Sequence, residues 1–309
     1  MATVTDLHRS IVLLAAGSAV MLAVGWQMEP LHAEGGRAPE RSARASGLWN
    51  EMISEADKIG LPTRFLRRMD PDFVEIEFED LRSVAAEYHP AHHRMVLNRS
   101  LSFHAAGRML KPLSRLANRD LGTLYHELFH AYMDYMSVST ERQVRDPLAT
   151  RLFKVARTFQ ECRYQRVLIT PVVQRKSSTE PRVLTEAESW EAMNETWAVF
   201  VGWAAWTSLE LRDQDRTTGK SLQGPTPKWL RRLQQADQDA LLTGYYEPQD
   251  PQERALTQKR YLAPSYRITP PEIALLVEVV FEQTPRSAAL SATAVAQSGV
   301  EPATLAACG

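Results

Sequence analysis

Cysteine is nearly absent from this chain: Cys162 and Cys308 are the only two among 309 residues. With no Cys-x-x-Cys pair, cysteine-based metal sites and dithiol redox motifs are excluded. One bond between the two would be allowed in an oxidising compartment, but Cys308 lies at a terminus expected to fray, so free thiols are expected. Neither sits in a pattern that would activate a thiolate. A glycine-rich phosphate loop and internal repeats are also missing. Charge of one sign is missing as well: 36 Lys and Arg against 37 Asp and Glu leave a net charge of -1. Without a basic block or basic-aromatic interleaving, neither nucleic acid nor an anionic membrane surface is an expected partner.

Long apolar runs are scarce. The longest, Ile11 to Gly25, covers 15 residues behind Arg9, with small residues at Gly25 and Ala33. A membrane span needs about 20 apolar residues, so residues 1–33 have the form of a secretory signal peptide. The alternative is an uncleaved anchor lengthened by Trp26 and Met28. Either reading puts the body outside the cytoplasm, exported to the periplasm or the exterior, or anchored with its working part outside.

What is present is ordinary globular composition, 44% hydrophobic and 24% charged, enough for a real core. Residues 34–46 are polar and read as a linker, and Gly47 to Ile59 as a short amphipathic helix. Phe73 to Phe78 alternates like a half-exposed strand, and Ser83 to Tyr88 and Arg94 to Asn98 supply two more. Helical patterns follow at Pro147 to Gln165, Thr185 to Leu211, Pro227 to Leu242 and Pro270 to Glu282. Trp197 to Trp206 is apolar nearly all round, which marks a buried central helix. The expected fold class is α+β, with a small N-terminal mixed sheet and then a mainly helical body. That body runs over 47–285, and a small, polar tail over 286–309 is expected to be flexible.

Against this background one segment stands out, His126-Glu127-Leu128-Phe129-His130. Leu121, Leu124, Leu128, Ala131 and Tyr135 recur at three and four residues, so the segment belongs to a helix starting near Asn118 or Asp120 and ending near Ser137. On a helix, residues four apart share a face, so His126 and His130 can reach one metal ion, and Glu127 beside them can take a proton from water. Chance would supply this spacing in roughly one chain in a hundred of this length, judged from ordinary residue usage.

A catalytic zinc usually takes three protein ligands. A glycine and a third histidine just downstream are ruled out by Met133 and Met136. Glu188, Glu191, Glu195, Ala198 and Gly202 form one stripe of a later helix. Its small residues allow close approach to the His126 helix. Thr185 and Glu188 have the form of a capping box, which assigns Glu188 to the helix start. Glu195 lies where the helices can come closest, with Glu191 as the rival ligand or as an acid that orients a ligating imidazole.

Here the chain resembles the gluzincin metallopeptidases, the thermolysin-like and aminopeptidase-like group. His126-Glu127-Leu128-Phe129-His130-Ala131-Tyr132-Met133-Asp134-Tyr135 is similar to their active helix, and Asn194-Glu195-Thr196-Trp197-Ala198 to the segment carrying their glutamate ligand. The likeness implies Zn2+ held by His126, His130 and Glu195, Glu127 as general base, Asp134 as an orienting residue, and a peptide or protein substrate. It also implies a zincin-like domain in which a sheet edge pairs with extended substrate, and Arg94 to Asn98 is the expected edge strand. Two departures stand: 64 residues separate His130 from Glu195, and Val199 occupies a position where thermolysin-like enzymes have Asp. Tyr245, Tyr246, His89, His92, His93 and His104 are the available donors for an oxyanion. Other readings of the same residues are a zinc-binding module without turnover and a hydrolase of non-peptide amides or esters.

Overall fold

Trp49, Met52, Ile53 and Ala56 recur at helical spacing, and all are buried along one face of α1, Ala38–Lys58. Burying side chains of this size contributes about 1.5 to 3 kcal/mol each. The helix ends in a Schellman turn: Gly60 has a φ of 68°, its N–H reaches the Asp57 carbonyl, and that of Leu61 reaches Ala56. The computed structural model describes residues 38–82, 84–104, 109–139, 146–172, 178–216, 226–299 and 308. The expected signal peptide or anchor at 1–33 lies outside them. The helix begins at Ala38, inside the stretch expected as linker, because its polar first turns carry no apolar periodicity to announce it.

Three strands follow: β1, Glu75–Glu79; β2, Ala86–His89; and β3, Arg94–Asn98. The sheet order is β1-β3-β2, with β1 parallel and β2 antiparallel to β3. This corrects the expectation that Arg94 to Asn98 forms the edge. Met95, Val96 and Leu97 are consecutive and all buried, the mark of a strand covered on both faces, so β3 is central and β2 takes an edge.

The helical part begins with α2, Asn118–Val138, followed by α3, Pro147–Phe159, whose start is capped by Asp146 accepting from the Leu148 N–H. A π turn over Gln160–Tyr164 leads into β4, Arg166–Ile169, paired antiparallel with β5, Glu180–Val183. The long α4, Glu186–Arg216, buries Trp197, Ala198, Phe200, Val201, Ala204 and Ala205 and forms the centre of the molecule. Then come α5, Pro227–Gln238; β6, Tyr245–Tyr246; α6, Pro251–Leu256; β7, Arg260–Tyr261; α7, Pro270–Val279; and α8, Pro285–Ala296. The architecture is mixed α+β. No described helix is long and apolar enough to cross a membrane.

Two expectations at the C-terminus are corrected. The stretch expected as a frayed tail holds α8, with Thr284 capping the Ser287 N–H and Ala288, Ser291 and Val295 buried. Its alanines are the best helix formers, and their size permits the helix to lie close on its neighbours. Cys162 and Cys308 are not free thiols but form a disulfide, with Cα atoms 5.4 Å apart.

Behind α4 lies a buried polar network. Glu272 accepts from Arg163 (2.9 Å), Tyr164 (2.9 Å), Trp197 Nε1 (2.9 Å) and both the N–H and hydroxyl of Thr269 (2.7 and 2.6 Å). It ties the π turn, α4 and the start of α7 together.

Candidate metal centre

The site exists because α2 and α4 cross on two glycines. A Cβ on Gly202 would stand 2.7 Å from the Gly122 carbonyl oxygen and 3.2 Å from His126 Cβ, and one on Gly122 would stand 3.0 Å from the Gly202 carbonyl oxygen. A side chain at Gly202 would force backbone to shift and one at Gly122 would crowd it, so the backbones lie in contact. His126 is one turn beyond Gly122, and Glu195 is two turns before Gly202. The crossing therefore delivers the imidazoles of one helix to the carboxylate of the other.

His126 Nε2 and His130 Nε2 are 3.0 Å apart, Glu195 Oε2 is 3.3 Å from the first, and Oε1 is 3.2 Å from the second. A tetrahedron with bonds of about 2.0 to 2.1 Å has edges of about 3.3 to 3.4 Å, so the three groups stand close to the spacing that a zinc ion would require. Glu195 Oε2 is buried without a hydrogen-bond partner, an acceptor left for a cation. The electrostatics agree. Burial opposes the charge of Glu195, but His130 and His126 overcome it and hold the carboxyl well below its usual range. Burial likewise opposes a charged His130, yet Glu195 raises it to about 9. The trio is a self-neutralising cluster of His126, His130 and Glu195, the one group of this kind among the described residues.

Glu127 does not join the trio. Its Oε1 lies 4.0 Å from His126 Nε2, while Oε2 accepts the backbone N–H of Tyr88 at 2.9 Å. Burial raises its pKa, against the pull of His126 and His130. The N–H of Tyr88 thus goes to the helix rather than to β3, and the outer edge of β2 faces the site. The Tyr88 hydroxyl donates to Asp134 Oδ2 at 2.5 Å, and His93 Nδ1 stands 2.7 Å from the same oxygen. Asp134 therefore anchors the sheet to α2 instead of orienting a ligand imidazole: two turns beyond Glu127, it shares the face that meets β2.

Glu188 caps α4: its carboxylate accepts from the N–H groups of Thr185 (3.0 Å) and Gln249 (2.8 Å), and Thr185 accepts from the Glu188 N–H (3.2 Å). Glu191 lies outside the converging trio. Burial, with the carboxylates of Glu195 and Glu247, raises it to about 8. His89, His92, His93 and His104 lie on the sheet side and belong to no such cluster.

The wall facing the histidine helix is β6 and β7, and glycine again sets the distance. A Cβ on Gly244 would fall 2.5 Å from the Thr196 nitrogen, so this ribbon docks directly on the residue after Glu195. Tyr245 follows this glycine, and burial, with the Glu195 and Glu127 charges, raises its pKa far above the usual value. Tyr246 points the other way and is buried. Of the two tyrosines available as donors, only Tyr245 faces the trio. Lys259 and Tyr261, beside it, were not singled out in the sequence; their one signal is period-two spacing opposite Tyr245.

Comparison with known proteins adds no relative: no family profile, no curated protein and no solved structure matches the chain.

Proposed function

We propose that this protein is a zinc-dependent peptide hydrolase with a zincin-like, gluzincin-type site. The observation that carries the reading is the convergence of His126, His130 and Glu195 at tetrahedral spacing, with a buried carboxylate oxygen unpartnered and a second glutamate alongside. Zinc bound there would act as a Lewis acid on a scissile carbonyl and would acidify water.

The chain's own residues divide the remaining work. The Tyr88 N–H fixes Oε2 of Glu127 and leaves Oε1 on the trio's side, so one oxygen is held while the other accepts the proton of the attacking water. Glu127 then delivers that proton to the leaving amine. Its burial raises its proton affinity, which suits a group that must both take and return a proton. Tyr245 donates to the negative charge that develops on the substrate carbonyl oxygen. An extended substrate lies along the outer edge of β2. The Cys162–Cys308 bond supports an exported protein, since such bonds persist in oxidising compartments.

The test is Glu127→Gln, assayed for bound zinc and for cleavage of unfolded proteins. The expected outcome is unchanged zinc content with cleavage reduced by at least about a thousandfold, a loss at the scale of a missing general base. Wild-type protein that binds zinc and cleaves nothing would establish a binding module in its place.

A further inference from the structure

The β6–β7 ribbon pairs Tyr245 with Tyr261 and Tyr246 with Arg260. Alternation along a strand puts Tyr245, Tyr261 and Lys259 on one face, with Tyr246 and Arg260 on the other. The second face is structural: Tyr246 and Arg260 are both buried. The first face looks at the metal trio. On it the Tyr245 and Tyr261 rings lie 5.8 Å apart, and Lys259 Nζ stands 3.9 Å from the Tyr245 ring centre and 2.6 Å from its hydroxyl oxygen. The backbone of Lys259 is itself fixed, its carbonyl accepting from the Thr257 hydroxyl at 3.0 Å.

An ammonium has donors and no acceptor, so in the Lys259–Tyr245 bond the phenol oxygen must be the acceptor. Its own proton is left to point elsewhere, and the packing of Gly244 on Thr196 puts the carboxylate of Glu195, one residue earlier on α4, beside this ribbon. We propose that Lys259 is a positioning residue for Tyr245: by donating to the hydroxyl oxygen, it turns the phenol proton away from itself and toward the metal centre. The bond to a cation also polarises the O–H and strengthens it as a donor. A lysine resting on a ring for packing alone would do neither. The inference rests on the hydrolase reading above, in which Tyr245 stabilises the developing oxyanion.

The experiment uses the full zinc-loaded chain with Lys259→Met, Lys259→Arg, Tyr245→Phe and the double variant Lys259→Met/Tyr245→Phe. Bound zinc, kcat and KM are measured on one fluorogenic peptide. Tyr245→Phe is expected to lower kcat about a hundredfold, the scale of a lost oxyanion donor, and Lys259→Met about tenfold, each with zinc and KM unchanged. Lys259→Arg retains most of the rate because it keeps a donor. In the Tyr245→Phe background Lys259→Met costs nothing further. A second readout needs no turnover: in protein labelled with 3-fluorotyrosine, the ¹⁹F resonance assigned to position 245 by its loss in Tyr245→Phe shifts in Lys259→Met, with or without zinc. Equal losses in both backgrounds, an unmoved resonance, or loss of zinc in Lys259→Met would overturn the proposal. If Glu127→Gln abolishes cleavage while Lys259→Met leaves kcat unchanged, the hydrolase reading stands and this one falls.

Discussion

Two buried glutamates, Glu195 on α4 and Glu272 at the start of α7 packed behind it, are equipped in opposite ways. Glu272 receives donors on both oxygens, from Arg163, Tyr164, Trp197 and Thr269. Although Arg163 Nε lacks a partner, both of its Nη nitrogens are bonded. Glu195 meets two imidazoles whose nitrogens face each other, and one of its oxygens has no partner. The first arrangement is complete and holds three segments in place. The second is incomplete as protein alone, and incompleteness at a buried, converging set of ligand atoms is what separates a site from a strut.

The contrast can be broken first at the metal. Glu195→Gln is expected to weaken zinc binding by at least about a hundredfold, judged by the part ligands play in structural and catalytic sites. Zinc at a hundred times its Kd should stabilise the wild type by about 2.7 kcal/mol in thermal unfolding, and the variant by almost nothing. Without metal the variant should be the less stable of the two at neutral pH, because it loses the carboxylate that holds His130 protonated to about pH 9. Glu272→Ala should do the reverse. Leaving Arg163 buried without its carboxylate costs about 3 to 5 kcal/mol in urea unfolding, while zinc affinity in the folded fraction stays unchanged. The smallest effect is expected from Gly202→Ala, where a methyl against the Gly122 carbonyl costs about 1 to 3 kcal/mol of overpacking. There the helices are forced apart, and zinc affinity falls together with stability although every ligand and every charge is kept.

How much of this could be read from the chain follows the range of the interactions. His126, Glu127 and His130 share one helix, so their common face follows from spacing alone. The meeting of Glu195 with them was suggested by Gly202, since small residues on a stripe announce a close crossing, and the structure brings these groups together. The Glu188 cap was legible because its partner Thr185 is three residues away. Asp134 was misassigned because helical spacing states which residues share a face and not what that face meets, here Tyr88 and His93. The same limit applies to β3, whose central place depends on pairing with β1, about twenty residues earlier in the chain by the register. The helix α8 was hidden by composition, and the disulfide by 146 residues of separation.

That separation has a consequence for the cleft as a covalent object. The ring closed by Cys162 and Cys308 contains α4 with Glu195, the docking glycine Gly244, Tyr245 and Lys259. The helix with His126 and His130, and the sheet whose Tyr88 holds Glu127, lie wholly outside it. The proposed active site is therefore the seam between a closed loop of chain and an open one. In an unfolded chain whose disulfide is intact, the half bearing the carboxylate and tyrosine is already confined, and the half bearing the histidines is free to wander.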